Sequence, residues 1–506
     1  MDRNGVDIVS FLTSNKSMII APAGHGKTHT IVNCLESYKF SGKKILVLTH
    51  TNAGIASIRE KILLRSIESC KFEIMTICSF AIDIVHHYVS SMLLPDDSDM
   101  NEKYKEAERL SIRLLKVEPI KIVLKAKYEH VIVDEYQDCD SIQHKLIEGI
   151  GQIISTHILG DPLQGIFDFN GSPVNLDGKE FDEYRKNIQY LTTPWRWKKS
   201  GNVELGEDLL KIRSLLREGK SVDLTKYHSI QYVKVAKGDF YSQDRTAIKT
   251  IIYNLLKPTY KSNVLIIHPL SFSKNGRIDL LKRVHNLGMI ESIDDADYYN
   301  TVQKFETETG DGLICAIKNF IQDTCVASEL SKWFHDDGSL VSKRDEKYLD
   351  RYHRLKDYLK QFKKASCIKN IIDLIEFIRQ EFGCRVVRCD VYYTILRILQ
   401  QAVSSNISMS EALKLNRDKT RKVGRHINGK YIGTTLLTKG LECDTVLVLD
   451  AHKFDSPKHL YVALSRACSR LIVSADSPIL HPYPKQNTTK KTKIQHPSLF
   501  SDEDFE

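Results

Sequence analysis

The chain has 506 residues, of which 42% are hydrophobic and 27% are charged, and Lys and Arg together exceed Asp and Glu by nine. This length predicts roughly two to four domains of an ordinary globular protein. The sequence contains no long apolar run and no N-terminal secretion signal, so we expect a cytoplasmic protein without a membrane span. The eleven cysteines form no CxxC pair, so they do not indicate a zinc site. The basic excess mildly favours polyanionic partners.

The first third of the chain alternates short apolar segments with stretches of helical periodicity. Strands are predicted at 17–23, 43–50, 130–135 and 157–161, and helices at 52–66 and 141–154. Strands that alternate with helices indicate a parallel sheet covered on both faces. We therefore expect ligands to bind at the carboxyl ends of these strands.

The same alternation returns late in the chain and encloses a different kind of segment. Further strands are predicted at 263–269, 431–439, 444–450 and 470–475. The intervening region is mainly helical and heavily charged, and we interpret its stretch 342–364 as a solvated amphipathic helix rather than a nucleic-acid contact. The predicted units are a first α/β domain at 1–200 with a small insertion at about 89–126, a second at 201–270 and 425–480, a helical insertion at 271–424 and a flexible tail at 481–506.

A glycine-rich loop, "APAGHGKT" at 21–28, follows the first predicted strand and opens a helix. Glycines allow backbone N–H groups to close around phosphate oxygens, and a helix N-terminus adds partial positive charge. Lys27 would reach the β- and γ-phosphates of a nucleotide, and the Thr28 hydroxyl would bind Mg²⁺. The alternative is a structural strand–helix turn. The predicted nucleotide-contacting residues are Ala23, Gly24, His25, Gly26, Lys27 and Thr28.

The string "DEYQD" at 134–138 directly follows the apolar run "HVIV" of the third predicted strand. Alone, it is compatible with a solvated turn, a metal site or part of a nucleotide-hydrolysing site. Downstream of a P-loop, the last interpretation is favoured, because such a loop needs a second carboxylate site on a neighbouring strand. We predict that Asp134 holds the Mg²⁺ shell and that Glu135 polarises the attacking water.

Together, the loop and this string resemble the superfamily 1 helicases of the UvrD/Rep type, and six further motifs of that family appear in order. These are "LTHTNAG" at 48–54, "TICSF" at 76–80, "LGDPLQGIFDFNG" at 159–171, "LTTPWRW" at 191–197, "TTLLTKGLECD" at 434–444 and "YVALSRACSRL" at 461–471. The chain is also similar in size and motif content to compact UvrD-like chains of anti-phage systems such as Gabija. The resemblance implies an α/β fold with two RecA-like P-loop domains, a mainly helical insertion in the second, and ATP between them.

The resemblance also implies roles for residues outside the P-loop. Gln164 would sense the γ-phosphate, and Arg196 and Arg466 would reach it, because guanidinium groups pair well with phosphate oxygens. Trp195 matches the aromatic residue that stacks on adenine, although a core position is the alternative. Glu442 matches an acid near the ribose.

Four residues match positions that contact single-stranded DNA in the family. Thr51 and Asn52 match backbone contacts, and Phe167 and Phe169 match aromatic residues on which bases stack. Core packing is the alternative for both phenylalanines. The chain departs from the family at several motifs. His50 stands where the family often has Phe, and Cys78 and Leu436 stand where His is usual. Asn170 stands in place of an Arg, and no Gln precedes the P-loop.

We therefore expect an ATP- and Mg²⁺-dependent translocase or helicase on single-stranded DNA or tailed duplexes, in DNA repair or anti-phage defence. The 3′–5′ direction is implied by the resemblance alone. The alternative is a nucleic-acid-sensing ATPase switch that activates a partner nuclease without processive unwinding. The sequence shows no nuclease motif, so DNA cleavage would require that partner protein.

Overall fold

The computed structural model of the chain describes residues 5–89, 100–167, 174–236, 246–269, 274–292, 296–364, 367–423 and 429–484. The first sheet contains β1 Lys16–Ile20, β2 Lys44–Thr49, β3 Phe72–Thr76, β4 Tyr128–Val133, β5 Ser155–Gly160 and β6 Ile188–Tyr190. All its strands are parallel, in the order β3-β2-β4-β5-β1-β6. The central strands are nearly continuous apolar runs because helices cover both faces of the sheet.

Ten helices lie in this part of the described chain. They are α1 Ile8–Thr13, α2 Lys27–Ser37, α3 Asn52–Leu64, α4 Ile77–Tyr88, α5 Met100–Leu114, α6 Glu118–Lys127, α7 Ser141–Gly151, α8 Asp182–Arg185, α9 Trp195–Ser200 and α10 Val203–Arg217. The predicted small insertion contains α5, which packs against α4 and α7 and contributes Ala107 to the core of the first sheet. The last two helices instead pack in the core of the second sheet, to which Trp197 and Leu209 belong.

The later strands are β7 Val222–Asp223, β8 Ile230–Lys234, β9 Val264–His268, β10 Gly288–Met289, β11 Cys325–Val326, β12 Arg385–Val386, β13 Lys430–Thr434, β14 Cys443–Val448, β15 Ala467–Ala475 and β16 Ile479–Leu480. Six of them form a second sheet that is again entirely parallel, in the order β10-β13-β9-β14-β15-β8. Two short antiparallel pairs, β7 with β16 and β11 with β12, lie outside the main sheets. The prediction of a strand over 431–439 was too long: β13 ends at Thr434, where Thr435–Thr438 begins a helical turn.

The remaining helices are α11 Thr246–Leu256, α12 Lys274–Arg283, α13 Ala296–Thr307, α14 Gly310–Thr324, α15 Leu330–Trp333, α16 Glu346–Lys364, α17 Ile368–Glu381, α18 Cys389–Ser405, α19 Met409–Val423, α20 Thr435–Thr438 and α21 Pro457–Leu464. Helices α13 to α19 follow β10, precede β13 and share one hydrophobic core. In α16 only Leu355, Leu359 and Phe362 are buried, as expected for a solvated amphipathic helix.

The fold is therefore α/β, with two RecA-like parallel sheets and a mainly helical insertion in the second, which confirms the predicted fold class. Among the described residues, no helix is both long enough and apolar enough to cross a membrane.

Candidate active site

The P-loop joins the end of β1 to the first residue of α2. Gly24 has φ 71° and Gly26 has φ 95°, in the left-handed region that favours glycine. A Cβ atom on Gly24 would lie 2.9 Å from Cβ of Arg196 and 2.9 Å from the ring of Trp197. Gly26 is the N-cap of α2, whose first N–H groups therefore face the loop. The backbone has the shape and polarity that a bound phosphate chain requires.

The two predicted catalytic carboxylates follow β4 and face the P-loop lysine. The Nζ atom of Lys27 lies 2.8 Å from Oε1 and 2.9 Å from Oε2 of Glu135. Glu135 has φ 53°, and Asp450 repeats this geometry after β14 with φ 50°. A residue with this left-handed conformation thus follows a strand in each sheet, whereas a pair of adjacent acids beside a lysine follows only the strand of the first sheet among these two. The expectation that these acids lie on a neighbouring strand was wrong: β5 separates β4 from β1, and the long lysine side chain spans the gap.

Burial and the adjacent Glu135 carboxylate raise the pKa of Asp134 to about 7. Burial alone would raise the pKa of Glu135, but the positive charges of Lys27 and Lys439 outweigh it and hold that pKa well below its usual range. The pKa of Lys27 is raised, because the two carboxylates outweigh the effect of its burial. Lys27 and Glu135 therefore form a charged pair at neutral pH, and Asp134 is the acid of the cluster that most readily takes a proton.

Gln164, the predicted γ-phosphate sensor, lies in a 3₁₀ helix, Pro162–Gln164, just beyond β5. It is buried, and its Nε2 donates a hydrogen bond of 3.0 Å to Oδ2 of Asp161. Asp161 is fully buried and is bound by Arg213 of α10 at 2.8 Å. This turn, Asp161–Gln164, is called the sensor turn. It is held by a buried ion pair to Arg213, whose helix packs in the core of the second sheet. Neither Asp161 nor Arg213 was predicted from sequence, and Arg213 lies in no recognisable motif.

Arg196 lies directly against the P-loop. Its backbone N–H donates to the carbonyl of Gly24 at 3.0 Å, and its guanidinium binds Glu442 at 2.6 Å and the carbonyl of Ser465. Among the described residues, its buried Nε has no hydrogen-bond partner. Arg466 is also buried and donates to the carbonyl of Val462 at 2.9 Å. Burial and the neighbouring Arg196 lower the pKa of Arg466 to about 10.

The structure distinguishes the two tryptophans of "PWRW". Trp197 is buried in the core of the second sheet, where its Nε1 donates to the carbonyl of Ala467 at 2.9 Å. Trp195, the residue predicted to stack on adenine, is only half-buried at the first position of α9. Core packing, the alternative considered for Trp195, is therefore the role of Trp197. Thr28 is half-buried at the second position of α2, next to Lys27.

Three of the four predicted DNA-contacting residues can be placed. Thr51 is the N-cap of α3 and accepts a 3.1 Å hydrogen bond from the N–H of Gly54, and Asn52 is the first residue of that helix. Phe167 is half-buried and lies outside the hydrophobic core clusters of the described chain. Phe169 lies outside the described residues.

Lys439 connects several of these groups, although no role was predicted for it. Its Nζ binds the carboxylate of Asp138 and, at 2.5 Å, the carbonyl of Gln164, and lies 4.5 Å from the centre of the Phe167 ring. Burial raises the pKa of Asp138 to about 6 despite the opposing charge of Lys439. A second such link joins the hydroxyl of Tyr461 to the N–H of Ala23 at 3.3 Å. Both residues lie in quoted motifs, but only the fold shows their partners.

Comparison with known proteins agrees with this geometry. The family described as AAA domain matches residues 6–170, which contain the P-loop, the DEYQD string and the sensor turn. The first third of the chain is thus similar to this family, and its motifs resemble those of the UvrD/Rep-like helicases. Relatives include an ATP-dependent helicase/nuclease subunit from Streptococcus uberis, 28% identical over 22% of this chain and 9% of that protein. The protein of the same name from Streptococcus agalactiae is 23% identical over 30% of this chain and 10% of that protein.

The match thus spans about a tenth of the length of the curated relatives. Among solved structures, the Pif1 helicase of Candida albicans aligns over 93% of both chains, at 13% identity and a TM-score of 0.37. In this chain, the structure places Lys27 of the P-loop against Glu135 and the backbone of Arg196 against Gly24. Arg466 lies close enough to Arg196 and Glu135 to interact with both electrostatically.

Proposed function

We propose that the chain is an ATP-dependent translocase or helicase of superfamily 1 that moves 3′–5′ along single-stranded DNA, in DNA repair or anti-phage defence. The observation that carries this proposal is the position of Lys439. It belongs to the segment between β13 and β14, yet it binds Asp138 and the sensor turn beside the first sheet and lies on Phe167. A change at the nucleotide would therefore move an aromatic ring on which a base can stack.

The residues present fit a magnesium nucleotide. The left-handed glycines leave a cradle of backbone N–H groups, and the buried, unpaired Nε of Arg196 is a donor available for an anion among the described residues. Thr28 and Asp134 would hold Mg²⁺, which neutralises charge on the phosphates when bound. These oxygen ligands are of the type that Mg²⁺ prefers.

The geometry supports a division of labour among the chain's own residues. Lys27 would exchange its ion pair with Glu135 for one with the phosphates. The freed Glu135 carboxylate would then accept a proton from the attacking water. Arg196 and Arg466 would stabilise negative charge on the transferred group, and Gln164 would sense the γ-phosphate beside them. Trp195 would cover the base, and Glu442, now bound to Arg196, would be released toward the ribose.

We also propose the domain division predicted from sequence: ATPase domains at 1–200 and at 201–270 with 425–480, a helical insertion at 271–424 and a tail at 481–506. A cytoplasmic location is supported by the eleven cysteines, none of which forms a disulfide in the described structure, since thiols persist in a reducing compartment. The relatives' name joins helicase and nuclease, which supports a nuclease as a partner for this chain.

The alternative function, an ATPase switch that activates such a partner without unwinding, is favoured by two substitutions in the DNA-contacting motifs. His50 lies with its Nε2 3.4 Å from the thiol of buried Cys139. The thiol of Cys78 donates to Glu108 at 3.4 Å. Both side chains therefore contact residues packed around the first sheet. They would make fewer contacts with a DNA strand than the family's usual residues at these positions.

Strand displacement separates the two functions. ATP turnover is measured with and without single-stranded DNA, and unwinding is measured on duplexes with a 3′ tail, a 5′ tail or no tail. DNA-stimulated turnover with displacement of the 3′-tailed duplex is the expected result, and Lys27→Ala should abolish both. Stimulated turnover without displacement would favour the switch. Absence of turnover in every condition would refute both functions.

A further inference from the structure

Gln137, the amide of the DEYQD string, has a fixed orientation in the interior. It is 2% exposed, and its Oε1 accepts a 3.0 Å hydrogen bond from the backbone N–H of Asp161. A backbone N–H can only donate, so this contact assigns the oxygen of the amide. The Nε2 group must therefore face the other way, where it donates to Oε2 of Glu135. One side chain thus joins the predicted catalytic carboxylate to the first residue of the sensor turn.

Two glycines lie so close to Gln137 that a Cβ atom at either position would crowd it. A Cβ atom on Gly160 would lie 2.7 Å from Oε1 of Gln137, and one on Gly165 would lie 3.0 Å from its backbone oxygen. Neither glycine has a positive φ, so backbone conformation does not require them. They flank the turn that contains Asp161 and Gln164, which indicates that the turn is built around Gln137.

The bridge continues in both directions. Beyond Glu135, the carboxylate holds Lys27 at 2.8 Å. Beyond Asp161, the buried Arg213 donates to its carboxylate at 2.8 Å, and Gln164 donates to the same group at 3.0 Å. Hydrogen bonds therefore run without a break from α10, through the sensor turn, to the P-loop lysine.

We infer that Gln137 is a positioning residue that orients the Glu135 carboxylate and couples it to the Asp161–Gln164 turn. This inference rests on the proposed function, in which Glu135 accepts a proton from water. Gln137 lies in the 3₁₀ turn Tyr136–Asp138, of which Glu135 is the N-cap. With Lys27 withdrawn to a phosphate, the Nε2 group of Gln137 is the remaining hydrogen-bond donor to the Glu135 carboxylate among the described residues. It would keep one carboxylate oxygen directed and leave the other for water.

Three variants test the bridge at different points. Gln137→Met keeps the length of the side chain and removes both hydrogen bonds. Gln137→Glu keeps an acceptor for the Asp161 N–H but replaces the donor to Glu135 with a carboxylate. Gly160→Ala leaves Gln137 unchanged and displaces its Oε1. The matched control is Gln143→Met on α7, because Gln143 also donates to a carboxylate, that of Glu108, at 2.9 Å.

The measurements are kcat and KM for ATP, the affinity for a fluorescent ATP analogue, and melting temperature, with Glu135→Gln as the reference. We expect each bridge variant to lose about 10- to 100-fold in kcat, since misplacing a catalytic group by about 1 Å costs about 100-fold. Nucleotide affinity should change by less than about threefold, because the residues predicted to contact the nucleotide before hydrolysis are unchanged. The control should keep its kcat whatever its melting temperature.

The outcomes are distinguishable. If Glu135→Gln abolishes turnover while Gln137→Met and Gly160→Ala turn over like the control, the inference is overturned and the proposed function stands. If Glu135→Gln retains turnover, Glu135 is not the proton acceptor and the inference is overturned; the proposed function fails only if the unmodified protein does not hydrolyse ATP. Should Gln137→Met not fold, Gly160→Ala and Gln137→Glu decide the question. A purely structural role predicts lost stability with normal kcat per folded molecule, and that result would also overturn the inference.

Discussion

Replacing Glu135 with Gln should separate nucleotide binding from hydrolysis, and the structure indicates that binding will become tighter. In the described structure, Lys27 is held by both oxygens of Glu135, so a nucleotide must first break this ion pair. The side chains are 10% and 31% exposed, which places the pair between a surface and a buried one. We assign it about 1–2 kcal/mol, between the values typical of those two environments.

Releasing Lys27 should therefore tighten nucleotide binding about 5- to 30-fold in Glu135→Gln. The removal of a neighbouring negative charge should also let Asp134 ionise more readily, since Glu135 contributes to its raised pKa. Turnover should fall about 10²- to 10⁴-fold, because an amide cannot take a proton from water. Binding is measured by titrating a fluorescent ATP analogue, and turnover by a coupled assay on the same preparation.

The matched control is Glu73→Gln, which removes a carboxylate bound by Lys127 at 3.0 Å on the same sheet, away from the P-loop. It should leave affinity and turnover unchanged. Unchanged or weaker affinity in Glu135→Gln would refute the claim that Glu135 restrains Lys27. Turnover like that of the unmodified protein would remove Glu135 from the mechanism.

Other predictions follow from single contacts. Phe167→Ala should weaken single-stranded DNA binding about 5- to 150-fold, as measured by anisotropy, with little change in melting temperature because Phe167 lies outside the described core clusters. Lys439→Met should lower DNA-stimulated turnover more than basal turnover, and equal losses would contradict the proposed link. Arg196→Ala should lose about 10³- to 10⁵-fold in turnover, and a loss of only a few-fold would exclude a transition-state role. Burial lowers the pKa of His157 to about 3, so its stabilisation is complete above pH 6.5 and falls by about 1.4 kcal/mol per pH unit as acid protonates the unfolded chain. Urea titrations at two pH values should show that the free energy of unfolding falls less with acid in His157→Gln than in the unmodified protein. An equal fall in both proteins would show that other groups set the acid sensitivity.

Much of the fold could be predicted from sequence because local rules specify it. Apolar runs between helical patterns located the main strands, since a strand buried on both faces must be apolar throughout. All four edge strands, β3, β6, β8 and β10, were missed. Strands β6 and β10 have only three and two residues, and β3 and β8 are not continuous apolar runs. The order of strands was also beyond sequence, and it places β5 between the P-loop strand and the strand of the acids.

The candidate site divides in the same way. The sequence by itself determined the phosphate cradle and the acid pair, because Gly24, Gly26 and Lys27 act through backbone conformation and charge within a few residues of one another. Only the tertiary structure decided that Glu135 holds Lys27 and that Trp197 takes the core position. It alone joined Gln137 to Asp161 and Lys439 to the sensor turn. Gln137 and Asp161 are 24 positions apart, and Lys439 and Asp138 are 301 positions apart. The first contact depends on the order of strands within one sheet and the second on how the two sheets pack together, and no local pattern encodes either.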